Sequence, residues 1–284
     1  MNENTPIRQH YIPQFILRNF SVDNKTVKYH DISENKNKIL EIRNVFMEKY
    51  LYNDEINYEY FPQKIESDLS KYESEVAPII KRFLEKDSFY LTFEESEKLK
   101  LFFAIMAFRN KNVKESIINY PNETKEFFEK YQKDLNYVDF WKRNLGYLVN
   151  CRSLSEVLTH NKIDEPIKIF MKRDCFGVAG TYFLLFEKRG DTSFIIGDAY
   201  PTDIRGDNNL HCYSYFPISP DRLILLVSSG VEHVPDGILG FSKKELKQSS
   251  NQLYISVKKI YNDKVLLVNN EIKNNSQIGY IYEV

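Results

Sequence analysis

Four polar side chains sit in or beside strongly apolar segments of this chain: His10, Glu73, Arg109 and Asp198. Together they would suffice for hydrolysis. A histidine can pass a proton near neutral pH, an arginine can stabilise phosphate charge, and Asp and Glu can hold a metal ion or orient a water. His10 and Tyr11 stand directly before Pro13 in "HYIPQFILRNF", residues 10–20. Pro suits the first position of a helix because its missing N–H would be unsatisfied there anyway. The expectation is a helix over 13–20 with His10 at its N-terminus, where the dipole favours a neutral imidazole, and with Tyr11 beside it as a ligand contact. The plainer reading of His10 is a helix cap or a hydrogen bond to a nearby carbonyl.

Arg109 follows the run "LKLFFAIMAF", so its helix is predicted to be central and the guanidinium to be paired with a carboxylate or to snorkel to water. Glu66 and Glu73 lie seven residues apart, hence on one face of the preceding helix. Either would meet Arg109 if the two helices pack antiparallel, although a solvated face suits Glu66 better. Asp198 closes the run "SFIIGD" before Pro201. A carboxylate at a strand end can be aimed into a crevice, or it can cap a turn.

These side chains need elements to position them. "TVKYHDI" and "KILEI", with "SENKNK" between them, read as a hairpin. Ile65, Leu69, Tyr72, Val76, Ile79, Ile80 and Phe83 recur at helical intervals, with Pro78 expected to kink or break the helix. Thr92 and Glu95 form a capping box that starts the next one. Further helix is predicted through "NETKEFFEKYQKDL" and "YVDFWKRNLGYLVN", then a mixed connection near 150–165. After that, "GTYFLLFEKRG", "TSFIIGD", "YSYFPIS" and "DRLILLVSS" read as strands, 243–261 as a helix, and "KVLLVNN" and "IGYIYEV" as two short strands. The order predicts an α+β fold in which a helical part (about 61–160) and a β-rich part (about 165–284) share one core.

Composition narrows the partners. Acidic and basic residues nearly cancel, at a net charge of −1, so global electrostatics do not call for nucleic acid, though a local basic patch stays open. Cys151, Cys175 and Cys212 form no CxxC pair, which argues against a disulfide scaffold or structural zinc and for a reducing cytosol. The first residues lack the apolar core of a signal peptide, and the longest apolar run is too short to cross a bilayer. No P-loop, GxGxxG, GxSxG or HExxH motif is present. His211, Cys212 and His233 have no ligand spacing and read as loop or sheet residues.

Taken together, "HYIPQFILRNF", "VKYHDI", "YESEVAPIIKRFL", "FFAIMAFRN", "FIIGDAYP" and "YFPISPDRLIL" resemble the DUF4238 family of bacterial proteins of unknown function. Its opening motif is matched by His10, Tyr11, Pro13, Leu17 and Phe20, its helix glutamate by Glu73, and its arginine by Arg109. Its Ser-Asp-x-Pro turn corresponds to Gly197, Asp198 and Pro201, with Gly in place of Ser and one extra residue before the proline. The resemblance implies a shared fold and polar motif residues that converge on one pocket. The functional expectation is a hydrolase acting on phosphodiesters, a nuclease-like effector of bacterial defence or a toxin, with a divalent metal as an open cofactor question and nucleic acid or nucleotide as partner. The alternatives are a sensor that binds a small ligand or nucleotide without turning it over, and a structural protein whose polar residues form a buried network.

Overall fold

The computed structural model describes residues 8–109, 137–164, 167–168, 182–205, 211–227, 239–242, 244 and 253–282. The α+β expectation holds, with six helices and twelve strands in three sheets among the described residues. Strand β1 (Arg8–His10) pairs antiparallel with β4 (Met47–Lys49). Between them lie helix α1 (Gln14–Leu17), continued as a 3-10 turn over Arg18–Phe20, and the hairpin β2 (Thr26–Asp31) and β3 (Lys36–Glu41). The hairpin is where the sequence puts it.

Helix α2 (Lys64–Glu85) buries Ile65, Leu69, Tyr72, Val76, Ile79, Ile80 and Phe83 and runs through Pro78 without a break. The short strand β5 (Ser88–Tyr90) then leads to α3 (Phe93–Arg109). The capping box at its start is closed: Glu95 N–H donates to Thr92 Oγ1 at 3.1 Å, and Thr92 N–H donates to the Glu95 carboxylate at 2.9 Å. From Leu101 onward every α3 side chain is buried. Tyr72 Oη donates to Lys98 O, Lys98 pairs with Glu75, and Arg82 pairs with Glu95, so α2 and α3 run antiparallel. Helix α4 (Tyr137–Leu148) follows the expected pattern, while the "NETKEFFEKYQKDL" segment lies outside the described residues. The connection near 150–165 contains a helix, α5 (Leu154–Thr159), whose N-cap Ser153 accepts from Glu156 N–H. Ser153 and Glu156 have the same three-residue spacing as Thr92 and Glu95, a signal the sequence already carries.

The C-terminal half departs further from expectation. Strands β6 (Tyr182–Arg189), β8 (Thr202–Arg205), β9 (His211–Pro217) and β10 (Arg222–Val227) form, but "TSFIIGD" contributes only the two-residue β7 (Ile196–Gly197). Residues 254–261, expected as helix, are strand β11 (Tyr254–Tyr261), hydrogen-bonded between β5 and β6. "KVLLVNN", expected as a strand, lies in helix α6 (Asn262–Asn275), which buries Val265, Val268, Asn269 and Ile272 on one face and leaves Leu266 and Leu267 exposed.

The six-stranded sheet has the order β5-β11-β6-β10-β9-β8, with only β11 and β6 parallel. Strand β12 (Gly279–Tyr282) enters a four-stranded sheet, β3-β2-β12-β7, beside the N-terminal hairpin. The β elements are therefore not segregated along the chain, because this sheet joins its two ends. A large apolar cluster unites residues from Tyr11 to Ile281 and contains α2, α3 and α4 side chains with Phe183, Leu185, Phe216 and Ile224 of the large sheet. A second cluster, built around Phe186, Leu223, Leu225, Val265 and Val268, forms under α6. Their membership alternates along β6 and β10, as strand geometry requires of a sheet covered on both faces. Arg222 fastens the sheet to the end of α2, where its Nη1 donates to Phe83 O and Lys86 O. Its Nη2 meets Glu187 and Asp87.

Candidate functional site

A cleft of about 370 Å³ opens between β1, α1, α2 and the last residue of α3. Its floor holds His10, Arg109, Glu66 and Glu73, and its rim carries the exposed Arg18, Ser70 and Ser74. Three of the sequence candidates, His10, Glu73 and Arg109, thus line one cavity, drawn from positions up to 99 residues apart.

Arg109 is the joint of this cleft. Its side chain is buried, and Nη1 lies 2.7 Å from Glu73 Oε1. Nη2 donates to the backbone carbonyl of His10 at 2.6 Å, and Nε donates to Tyr52 Oη at 2.9 Å. Tyr52 Oη in turn donates to the same His10 carbonyl, and its ring stacks 5.9 Å from Trp141. One guanidinium thereby ties α3 to α2, to β1 and to the loop after β4, a division of labour that suits its rigid fork of donors. The two helices pack as the sequence suggests, and the ion pair follows from that packing.

His10 is held at both ring nitrogens. Nε2 lies 3.1 Å from Ile42 O and Nδ1 lies 3.2 Å from Gln14 Nε2, so the ring is neutral with its proton on Nε2. Gln14 Oε1 accepts from Arg18 Nη2, which extends the chain of hydrogen bonds to the rim. Burial lowers the imidazole pKa, with Arg109 and Arg18 adding to the effect and the Ile42 bond opposing it. Neutrality therefore comes from burial and nearby cations rather than from the dipole of α1, which spans only four residues. His10 belongs to β1, and Pro13 is the N-cap of α1 rather than its first residue.

Glu66, expected on a solvated face, instead lines the cleft. No hydrogen bond or ion pair holds its carboxyl among the described residues. Burial pushes its pKa up to about 7; Arg109 pulls it down in part, and Glu73 pushes it further up. The sequence signal for it was its seven-residue spacing from Glu73, two helical turns along the same face. Gln14 and Tyr52 carried no such signal.

Asp198 is not part of this cleft, a correction to the expectation that it faces the same crevice as His10. Its carboxylate accepts from Gln277 N–H at 3.0 Å and Ile278 N–H at 3.1 Å and so caps the turn between α6 and β12. Burial raises its pKa, while those amides act against the shift. Gly197 beside it packs against Ser276, whose hydroxyl occupies the space a Cβ would need. Tyr11, expected as a ligand contact, is buried in the large core against Phe46, and burial with the nearby Asp198 raises its phenol pKa. The turn at Ser219 is structural too, with Ser219 Oγ accepting from the amides of Asp221 and Arg222. Among the described residues no three His, Cys, Asp or Glu side chains are grouped to hold a metal ion, and no helix is long and apolar enough to cross a membrane.

The motif residues His10, Pro13, Glu73 and Arg109 thus surround one cleft or brace the element that carries it. Compared with family models, the chain matches that of DUF4238, described as a protein of unknown function, over residues 8–283. The protein belongs to the DUF4238 family. No curated protein and no solved structure matches it. Of the residues that mark it as a DUF4238 chain, His10, Glu73 and Arg109 meet in the cleft, while Leu17 and Phe20 are buried in the core that seats α1.

Proposed function

We propose that the cleft is a general acid–base site of a hydrolase, with Glu66 as the group that passes the proton. The observation that carries this reading is the state of Glu66: a carboxyl without a partner among the described residues, lining a cavity and poised near pKa 7. Such a group gives and takes a proton with similar ease at neutral pH. Two turns along, Glu73 presents a carboxylate gripped by Arg109, so one helix offers two carboxyls in unlike surroundings. Unlike surroundings are how paired carboxyls acquire separate roles.

The phosphodiester version of this reading assigned acid–base work to His10, phosphate binding to Arg109 and a metal or water to Asp198. In the cleft, both His10 nitrogens are engaged, the Arg109 guanidinium is bound to Glu73, and Asp198 lies elsewhere. Two carboxyls would face an incoming phosphate, which favours an uncharged substrate. The binding-module reading uses the same cleft without turnover.

The test is a pH profile from pH 5 to 9 against chromogenic esters, phosphodiesters and glycosides, for the wild type and Glu66→Gln. The expected result is turnover with a limb near pH 7 and a 10²- to 10⁴-fold loss of kcat in the variant. Turnover that Glu66→Gln leaves unchanged would refute the acid–base role. A ligand that raises the melting temperature without being consumed would support the binding module instead.

A further inference from the structure

We infer that the bond cleaved in this cleft is glycosidic, and that it is cleaved with inversion at the anomeric carbon. The inference rests on the acid–base reading above and adds a substrate class and a stereochemical outcome.

The chemistry available in the cleft excludes most alternatives. Covalent catalysis needs a nucleophile beside a base. The hydroxyls present are Ser70 and Ser74; Ser74 Oγ donates to the Ser70 carbonyl, and neither has a base, since His10 is fully engaged. A dyad of carboxyls sharing one proton requires them about 3 Å apart. Glu66 and Glu73 are seven residues apart on α2, which separates their Cα atoms by about 10 Å at 1.5 Å per residue. They share no hydrogen bond, and Glu73 turns to Arg109. Hydrolysis by one acid and one base held apart is what remains.

Glycosidic hydrolysis needs that arrangement. Retaining enzymes hold their carboxyls about 5–5.5 Å apart so that one can attack the sugar, whereas inverting enzymes leave about 6.5–9.5 Å for a water. Two turns of one helix suit the wider spacing. The Glu66 carboxyl donates its proton to the leaving-group oxygen as the bond from the anomeric carbon to that oxygen breaks. A water attacks the opposite face and gives its proton to Glu73 Oε2, the oxygen not bound by Arg109. The products are a hemiacetal and an alcohol, nothing is oxidised or reduced, and exchange with solvent returns both carboxyls to their starting states. The negative charge on Glu73 also favours the positive charge that develops on the ring. Other lining groups fit a sugar. Phe15, partly exposed in the cleft, offers a ring face for C–H contacts, and Gln14, Ser70 and Ser74 offer hydrogen bonds. The cavity volume lies at the small end of the range for small-molecule sites.

The experiment incubates the full chain with 4-nitrophenyl α- and β-glycosides of the common hexoses and pentoses, alongside bis(4-nitrophenyl) phosphate and 4-nitrophenyl acetate. Proton NMR then identifies the first anomer released. The expected result is cleavage of a glycoside with the opposite anomer appearing first. Glu66→Gln should lose about 100-fold or more with 4-nitrophenyl as leaving group and far less with 2,4-dinitrophenyl, which departs without a proton. That leaving-group contrast would not arise from misfolding. Release of the same anomer would overturn inversion. Glu66-dependent turnover of only the phosphate or the acetate would overturn the glycosidic assignment and leave the acid–base reading standing. Absence of turnover across the whole panel would overturn both.

Discussion

Arg109 Nη1 sits 2.7 Å from Glu73 Oε1, and the arginine side chain is 2% exposed against 20% for the glutamate. The pair is thus asymmetric: a buried cation is held by an anion that reaches the cleft. Removing the anion leaves a guanidinium with little water around it. Glu73→Ala is expected to cost about 3 kcal/mol, the lower end for a broken buried pair because Glu73 keeps some solvent. Glu73→Ala/Arg109→Met should recover part of that loss, since no buried charge is then stranded. Urea unfolding of the two single variants and the double variant measures the coupling, and strictly additive losses would show that the pair carries no such energy.

Glu66 makes stability depend on pH in a direction opposite to that of a salt-bridged carboxylate. Its folded pKa of about 7 lies above the ordinary 4.5, so between those values the folded chain keeps a proton that the unfolded chain has released. Its contribution to stability therefore falls as pH rises through that window and levels off above it, by at most about 3 kcal/mol. Glu66→Gln removes the effect. The variant should match the wild type in urea midpoint at pH 4 and exceed it at pH 8. Equal midpoints at both pH values would mean that Glu66 ionises as freely as an exposed glutamate.

His10 and Asp198 should behave as structural groups in stability assays. His10→Ala strips the Ile42 carbonyl and the Gln14 amide of their partner, and Asp198→Ala strips two backbone amides. Each is expected to cost about 1–3 kcal/mol. Asp198→Ala should leave the titration of Glu66 near pH 7, because its carboxyl lies outside the cleft; carbon-13 NMR of the glutamate carboxyls follows this directly. A displaced Glu66 titration in that variant would place Asp198 in electrical contact with the site.

The sequence alone determined the elements that local rules govern. Thr92 and Glu95 specify where α3 begins because the capping box is closed within four residues, and the polar tip between β2 and β3 specifies a hairpin for the same reason. The apolar run before Arg109 was enough to predict a buried helix and a paired guanidinium, since no other arrangement avoids an unpaired charge. Only the tertiary structure decided the rest. Residues 254–261 are a strand because β5 and β6 flank them, and 262–275 are a helix because Val265, Val268 and Ile272 find an apolar cluster there; over so few residues the two periodicities overlap. Asp198 became a cap because its partners arrive 79 and 80 residues later in the chain. Glu66 left the solvated face assigned to it because β1 and α1 close over that part of α2. Burial, which sets its proton affinity, belongs to the packing of elements far apart in the chain, and helical spacing can place a carboxyl on a face without revealing what covers that face.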